Sequence, residues 1–207
     1  MTTTSRRVAV FLAASAALFA VTSLLDGPVY RAAEPLEPSL FNTTDASSLF
    51  RMAGFFPTWV LVSLALVLVD SGRKDAVNRP VRARGGLLLA SVVLSGLVTE
   101  VLKLLLRRER PDAHAGRYVF RAFAERPFDS GNLALPSSHA SIAFGAAFLL
   151  SFLYPRAAPV WLLLATGCAA ARVLLLSHFL SDVTLSAIVA FACAWAVWAW
   201  SRRARAA

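Results

Sequence analysis

The chain has 207 residues, 57% of them hydrophobic and only 16% charged, with a net charge of +9. A soluble domain of this size is nearer half apolar and a quarter charged. The apolar excess is gathered in blocks of about 18 residues or more, the length that crosses a bilayer as a helix. That excludes an ordinary soluble enzyme and predicts one integral membrane domain over residues 1–207. The basic excess lies at the ends of the apolar blocks, where it reads as a topology signal and not as a nucleic-acid surface.

Arg6 and Arg7 precede the first block, Val8 to Leu25. Its length favours a retained anchor over a cleaved signal peptide. Asp26 to Ser47 reads as a polar connection with Pro28, Pro35 and Pro38. The second block, Ser48 to Val69, holds Pro57, which predicts a kink, and Arg51, which predicts a snorkelling side chain. Asp70 to Gly85 is a basic loop with Arg73, Lys74, Arg79, Arg82 and Arg84 against Asp70 and Asp75. The third span is Gly86 to Leu106, followed by a long polar stretch, Arg107 to Pro136. The fourth runs from Ser137 to Tyr154, with Pro155 and Arg156 in a tight turn after it. The fifth covers Ala158 to Leu175 and the sixth His178 to Trp200. The predicted fold is all-α and polytopic, with six transmembrane helices. Cys168 and Cys193 lack metal-site spacing and read as buried thiols. Trp195, Trp198 and Trp200 read as interfacial anchors.

Six spans put both termini on one side. If that side is the cytoplasm, it holds Arg6 and Arg7, the five basic residues of the 70–85 loop, Arg156, and Arg202, Arg203 and Arg205. This obeys the positive-inside rule. The exception is the outer loop after Leu106, with Arg107, Arg108, Arg110, Arg117, Arg121 and Arg126. An anion bound at the outer face would account for it.

Three clusters fall at outer span ends. Lys103, Arg107 and Arg110 are spaced i, i+4, i+7, one face of a helix, and Pro111 discourages its continuation. A guanidinium fork beside a lysine point charge suits phosphate oxygens. In Leu135–Ser141, Ser137 is a natural N-cap after Pro136. The free N–H groups of that first turn favour an anion, and His139 lies among them. In Ala171–Asp182, Arg172, His178 and Asp182 stand between two apolar runs, where ionisable groups are a functional hypothesis by default. With Ser177 as cap, Asp182 would lie one turn after His178 and hold its imidazole. Alone, each cluster has an ordinary explanation as a basic span end, a capped helix or a polar turn. The ordered set Lys-x6-Arg-Pro, Pro-Ser-x-His and Arg-x5-His-x3-Asp is far more specific.

With that set the chain resembles the type 2 phosphatidic acid phosphatase superfamily, by motif over Lys103 to Asp182 and by layout over its whole length. The family pattern departs at two positions: Ser138 stands where glycine is usual, and Ala171 where serine usually precedes the arginine. The resemblance implies a lipid phosphatase in the bacterial inner membrane, with cytoplasmic termini and its site facing the periplasm or exterior. It implies that His178 attacks phosphorus to form a phosphohistidine, that Asp182 orients it, and that His139 protonates the leaving oxygen and then activates water. Lys103, Arg110, Arg172, Ser137 and the backbone N–H of Ser138 would hold the phosphoryl oxygens. Arg107 joins them only by helical spacing. No cofactor and no metal ligand is needed, because these cations supply the charge that phosphoryl transfer requires. The expected partners are a lipid phosphate and the bilayer, with no nucleic acid. Alternatives are a phosphotransferase using the same phosphohistidine and a non-catalytic anionic-lipid-binding protein. In the outer loop, Arg117 to Phe128 mixes Val119, Phe120 and Phe123 with charged residues. It predicts a short interfacial helix that gates lipid entry.

Overall fold

The computed structural model describes residues 3–36, 45–71 and 83–203. Among the described residues seven α-helices make up the fold: α1 (Thr3–Ala33), α2 (Asp45–Ala53), α3 (Phe56–Ser71), α4 (Ala83–Leu106), α5 (Ser138–Leu153), α6 (Ala158–Leu174) and α7 (Leu180–Arg203). Among the described residues there is no β-strand, only isolated bridges pairing Arg108 with Phe120 and Glu109 with Leu133. Pro38, Arg73, Lys74, Asp75, Arg79, Arg82 and Arg205 lie outside the described residues.

Among the described residues four helices are long and apolar enough to cross a membrane: Ser5–Ala33, Arg84–Leu106, Pro155–Leu174 and Leu180–Arg203. The pair α2 and α3 passes the same test together but is bent by 69°. α5 is apolar but has only 16 residues. Large apolar side chains face outward, among them Leu24, Leu61, Leu97 and Val101. Such a surface belongs in lipid, and the chain is an integral membrane protein.

Three elements differ from the sequence expectation. α1 continues past Leu25 to Ala33 with Pro28 inside it. A proline near a helix end costs few backbone bonds, and burial of Asp26, Tyr30 and Ala33 outweighs it. Pro57 does not kink a continuous span. It is the second residue of α3, where the missing N–H has no helical acceptor to lose. The break falls just before it, and the Trp59 indole N–H ties across by donating to the Ala53 carbonyl at 2.7 Å. α7 begins at Leu180, so His178 sits in the turn before the helix.

α5 is the central helix, packed against α4, α6 and α7. Its faces are small and hydroxyl-bridged, the usual way for membrane helices to approach closely. Ser91 donates to the Gly145 carbonyl at 2.8 Å and Thr99 to Ser141 at 2.6 Å. A Cβ on Gly145 would lie 2.5 Å from the Ser95 hydroxyl. At one end of the bundle Arg84 pairs with Asp70 at 3.7 Å and donates to the Tyr154 hydroxyl at 3.2 Å. The residues of the three motifs gather at the other end. Cys168 and Cys193 are buried and unbonded to each other.

Candidate active site

The site is built where α4 ends and α5 and α7 begin. Ser137 is the N-cap of α5, its hydroxyl accepting from the Ala140 N–H at 3.5 Å. The Ser186 hydroxyl of α7 accepts the Ser137 N–H at 2.8 Å and faces the Ser137 and Asp182 carbonyls at 3.0 and 2.8 Å. This ties the starts of α5 and α7 together. Lys103, in the last turn of α4, is buried and donates to the Ser138 hydroxyl at 2.6 Å. That hydroxyl donates on to Glu100 at 2.5 Å, and Glu100 also lies 3.6 Å from the lysine ammonium. The serine that stands in place of glycine thus bridges a lysine and a carboxylate. Sequence reasoning missed Glu100, although its i, i+3 spacing to Lys103 could have flagged it.

Lys103 reaches Ser138, and the Ser137 N–H lies 3.5 Å from the Asp182 carbonyl, so the three motifs meet where α4 ends and α5 and α7 begin. The Nε atoms of Arg110 and Arg172 are buried without a hydrogen-bond partner. Gly54, at the bend between α2 and α3, closes one wall: a Cβ there would lie 2.8 Å from both the Cys168 sulfur and the His139 Cβ.

His178 is 3% exposed. Its Nδ1 lies 3.0 Å from the Ala134 carbonyl and 3.6 Å from Asp182 Oδ2. A carbonyl can only accept, so Nδ1 carries the proton and Nε2 is left bare. The expected grip of Asp182 on the imidazole is therefore secondary to a backbone carbonyl. Ser177 does not cap α7. Its hydroxyl and backbone turn back toward Leu175 and Arg172, through a turn that holds Leu176 at φ 55°. The capping group is Asp182, whose Oδ2 accepts the Phe179 N–H at 2.7 Å.

Arg107 is a correction. α4 stops at Leu106, and Arg107 has φ 56°, so the i, i+4, i+7 face is never completed. The Arg107 side chain is 1% exposed and donates to the carbonyls of Arg121, Ala122, Glu125 and Pro127. Arg121 is likewise buried, bonding Glu109 at 2.8 Å and the Asp129 and Gly131 carbonyls. Arg108 pairs with Asp182. Arg107 and Arg121 therefore knit the loop itself and Arg108 ties it to α7, so none of the three awaits an anion. The same bonds replace the expected helix at Arg117–Phe128 with turns. Phe120 and Phe123 remain 60% and 68% exposed on it.

Outside the membrane-spanning helices three groups are clearly perturbed, and the first is the His178 imidazole, which burial pushes below its usual value against the hydrogen bond and charge of Asp182. Hydrogen bonds from Arg121 and then His114 hold the Glu109 carboxyl below its usual range. Burial, then the hydrogen bond to Asp26, pushes the Tyr118 phenol up to about 12.

A bundle of membrane helices that draws Lys103, Ser138, His178 and Asp182 to one end defines the class: a polytopic membrane protein. The sequence comparisons place it further. Residues 84–206 match the PAP2 superfamily, and the chain belongs to that family. It is 35% identical over 118 residues to a lipid A 1-phosphatase of Rhizobium johnstonii, covering 56% of this chain and 47% of that protein. A lipid A 1-phosphatase of Rhizobium etli is 36% identical over 121 residues, covering 56% and 50%. The chain thus spans about half the length of these relatives. Among solved structures, a transmembrane PAP2-type phosphatidylglycerolphosphate phosphatase from Bacillus subtilis has the same fold. Its TM-score is 0.64, with 19% identity over 95% of this chain and 94% of that one.

Proposed function

We propose that the chain hydrolyses a lipid phosphomonoester or diphosphate through a phosphohistidine on Nε2 of His178. The observation that carries this is the pair of buried guanidinium Nε atoms, on Arg110 and Arg172, that have no hydrogen-bond partner, on the motifs that the Lys103–Ser138 bond draws together. A buried donor left unpaired costs about 1–3 kcal/mol, and a bound phosphoryl group would satisfy both. Nε2 of His178 attacks phosphorus in line, and the bond from phosphorus to the lipid oxygen breaks. His139 delivers the proton to that oxygen. It then takes a proton from water, which attacks the phosphohistidine and releases inorganic phosphate. Lys103, Arg110, Arg172, the Ser137 cap and the Ser138 N–H hold the equatorial oxygens, where charge builds up.

In this reading α5 and the bent α2–α3 pair join the four long helices as six spans. Both termini lie in the cytoplasm, and the site opens to the outer face of a bacterial inner membrane. α5, at 16 residues, is about 24 Å long, shorter than a bilayer core. The pocket at its start is thereby recessed to the level of a lipid headgroup, with Phe120 and Phe123 of the outer loop beside the lateral route of entry. The candidate substrates are undecaprenyl diphosphate, phosphatidylglycerol phosphate, phosphatidic acid and lipid A phosphate. The Rhizobium relatives favour the last of these.

The test is a panel of purified lipid phosphates in detergent with EDTA present. Phosphate release from a lipid A substrate, inhibited by vanadate and absent from His178→Ala, is the expected result. Release by His178→Ala at the wild-type rate would overturn it.

A further inference from the structure

α1 lies outside the segment that matches the family, residues 84–206, yet it carries a carboxylate into the wall behind the site. Asp26 is 2% exposed. Its Oδ1 accepts the Ser181 N–H at 2.8 Å. Its Oδ2 accepts the Tyr118 hydroxyl at 2.6 Å and the Ser181 hydroxyl. Arg108 Nη1 lies 3.9 Å from the same oxygen. On its other side Arg108 donates from Nε to Asp182 Oδ1 at 3.1 Å, from Nη2 to that oxygen again, and from Nη2 to the Ser181 hydroxyl at 2.7 Å. The rings of Tyr118 and Phe179 lie 4.8 and 5.1 Å from the guanidinium. Two buried carboxylates thus share one buried cation between two aromatic rings.

The arrangement has a clear physical logic. A buried carboxylate without a counter-charge is costly, and two that lack a cation between them repel. Arg108 removes both penalties. It also occupies Oδ1 of Asp182 alone. Oδ2 remains for the Phe179 N–H at 2.7 Å and for the His178 ring at 3.6 Å. The planar fork fixes the carboxylate's rotation in a way a point charge would not. Every donor contact of Arg108 is made with Asp26, Ser181 or Asp182.

We infer that Arg108, anchored from behind by Asp26 of α1, is a positioning residue that sets the Asp182 carboxylate and, through it, the aim of His178 and, together with the Ala134 carbonyl, its tautomer. The inference rests on His178 being the nucleophile.

The test uses the full chain in detergent, with Arg108→Gln, Arg108→Lys and Asp26→Asn, and the double variant Asp26→Asn/Arg108→Gln to spare folding a buried unpaired charge. Arg108→Gln is expected to lower kcat roughly 100-fold, below the ~10⁴-fold a triad loses when its orienting carboxylate is neutralised. KM should stay within about twofold, because no phosphate contact is lost. Arg108→Lys should recover part of kcat. The double variant should lose little more than Arg108→Gln, since the two residues act as one unit.

Histidine-¹⁵N NMR supplies a readout independent of turnover. His178 should be the Nδ1–H tautomer in the wild type and a mixture in Arg108→Gln. A folded Arg108→Gln protein with wild-type kcat and tautomer overturns the inference. So does a loss confined to KM, which would make Arg108 a phosphate ligand, or fully additive losses in the double variant. A wild type that releases phosphate from no lipid would sink the phosphatase reading instead, and the tautomer comparison would still decide this one.

Discussion

The Nδ1 atom of His178 is nearer the backbone carbonyl of Ala134, at 3.0 Å, than the carboxylate of Asp182, at 3.6 Å. The Ala134 carbonyl and, behind it, the Asp182 carboxylate thus hold the proton on Nδ1 together. The phosphoenzyme should then carry its phosphate on Nε2. Rapid quenching in base with a ³²P-labelled lipid should trap it, and ³¹P NMR of the denatured protein should show the Nε2 isomer. Phosphate on Nδ1 would contradict the hydrogen bonding at this ring.

Glu100 offsets the charge of Lys103, 3.6 Å away, and shares the Ser138 hydroxyl with it. Removing a negative charge from the rim of an anion pocket strengthens anion binding. Because Glu100 is partly exposed, the effect is screened and modest. Glu100→Gln should lower the vanadate inhibition constant by about threefold, on the order of 0.6 kcal/mol. Weaker inhibition would show that Glu100 serves the pocket in another way, as a proton donor or a ligand of the headgroup.

These two relationships mark what could and could not be read from the residues in order. The apolar blocks and the Ser137 cap follow from local pattern, whereas the grouping of Lys103, Arg110, His139, Arg172 and His178 into one site rests on the family resemblance. The carbonyl of Ala134 carries no sequence signal, since any residue could supply it. Asp26 was assigned to a connecting loop because Pro28 and the polar residues after it outweigh helix signals when only neighbours are considered. Arg107 was assigned to a helical face because nothing local says that α4 ends one residue earlier. That end is set by carbonyls up to 20 residues further along the chain.

Gly54 leaves no room for a side chain beside His139 and Cys168. Gly54→Ala should destabilise the fold by about 1–3 kcal/mol through overpacking and should lower kcat by shifting the first turn of α5. Gly86 is the control, because a Cβ there meets nothing within 4 Å. Gly86→Ala should be neutral or stabilising by up to about 1 kcal/mol, as expected within a helix. Thermal unfolding in detergent and phosphatase assays on both variants check the contrast. Equal behaviour of the two would remove the steric argument.

The outer loop should loosen in acid before the helices do. Arg121 and His114 hold the Glu109 carboxyl below its usual value. The stability this gives is complete above the unfolded-state value of about 4.3 and is lost as pH falls through the lower folded value. Hydrogen exchange at residues 107–133 should therefore rise as pH falls below about 4 while α5 and α7 stay protected. Glu109→Gln should exchange faster at neutral pH and lose this acid step. An unchanged acid step in that variant would assign it to another carboxylate.

The attachment of Asp26 to Ser181 and Arg108 bears on how this catalytic unit can be moved. A chimera made by transplanting only the family-matching portion would import Arg108 and Asp182 without their counterweight. The portable unit begins three helices earlier, at α1, and an engineer exchanging amino-terminal anchors between relatives must carry that acid across with them.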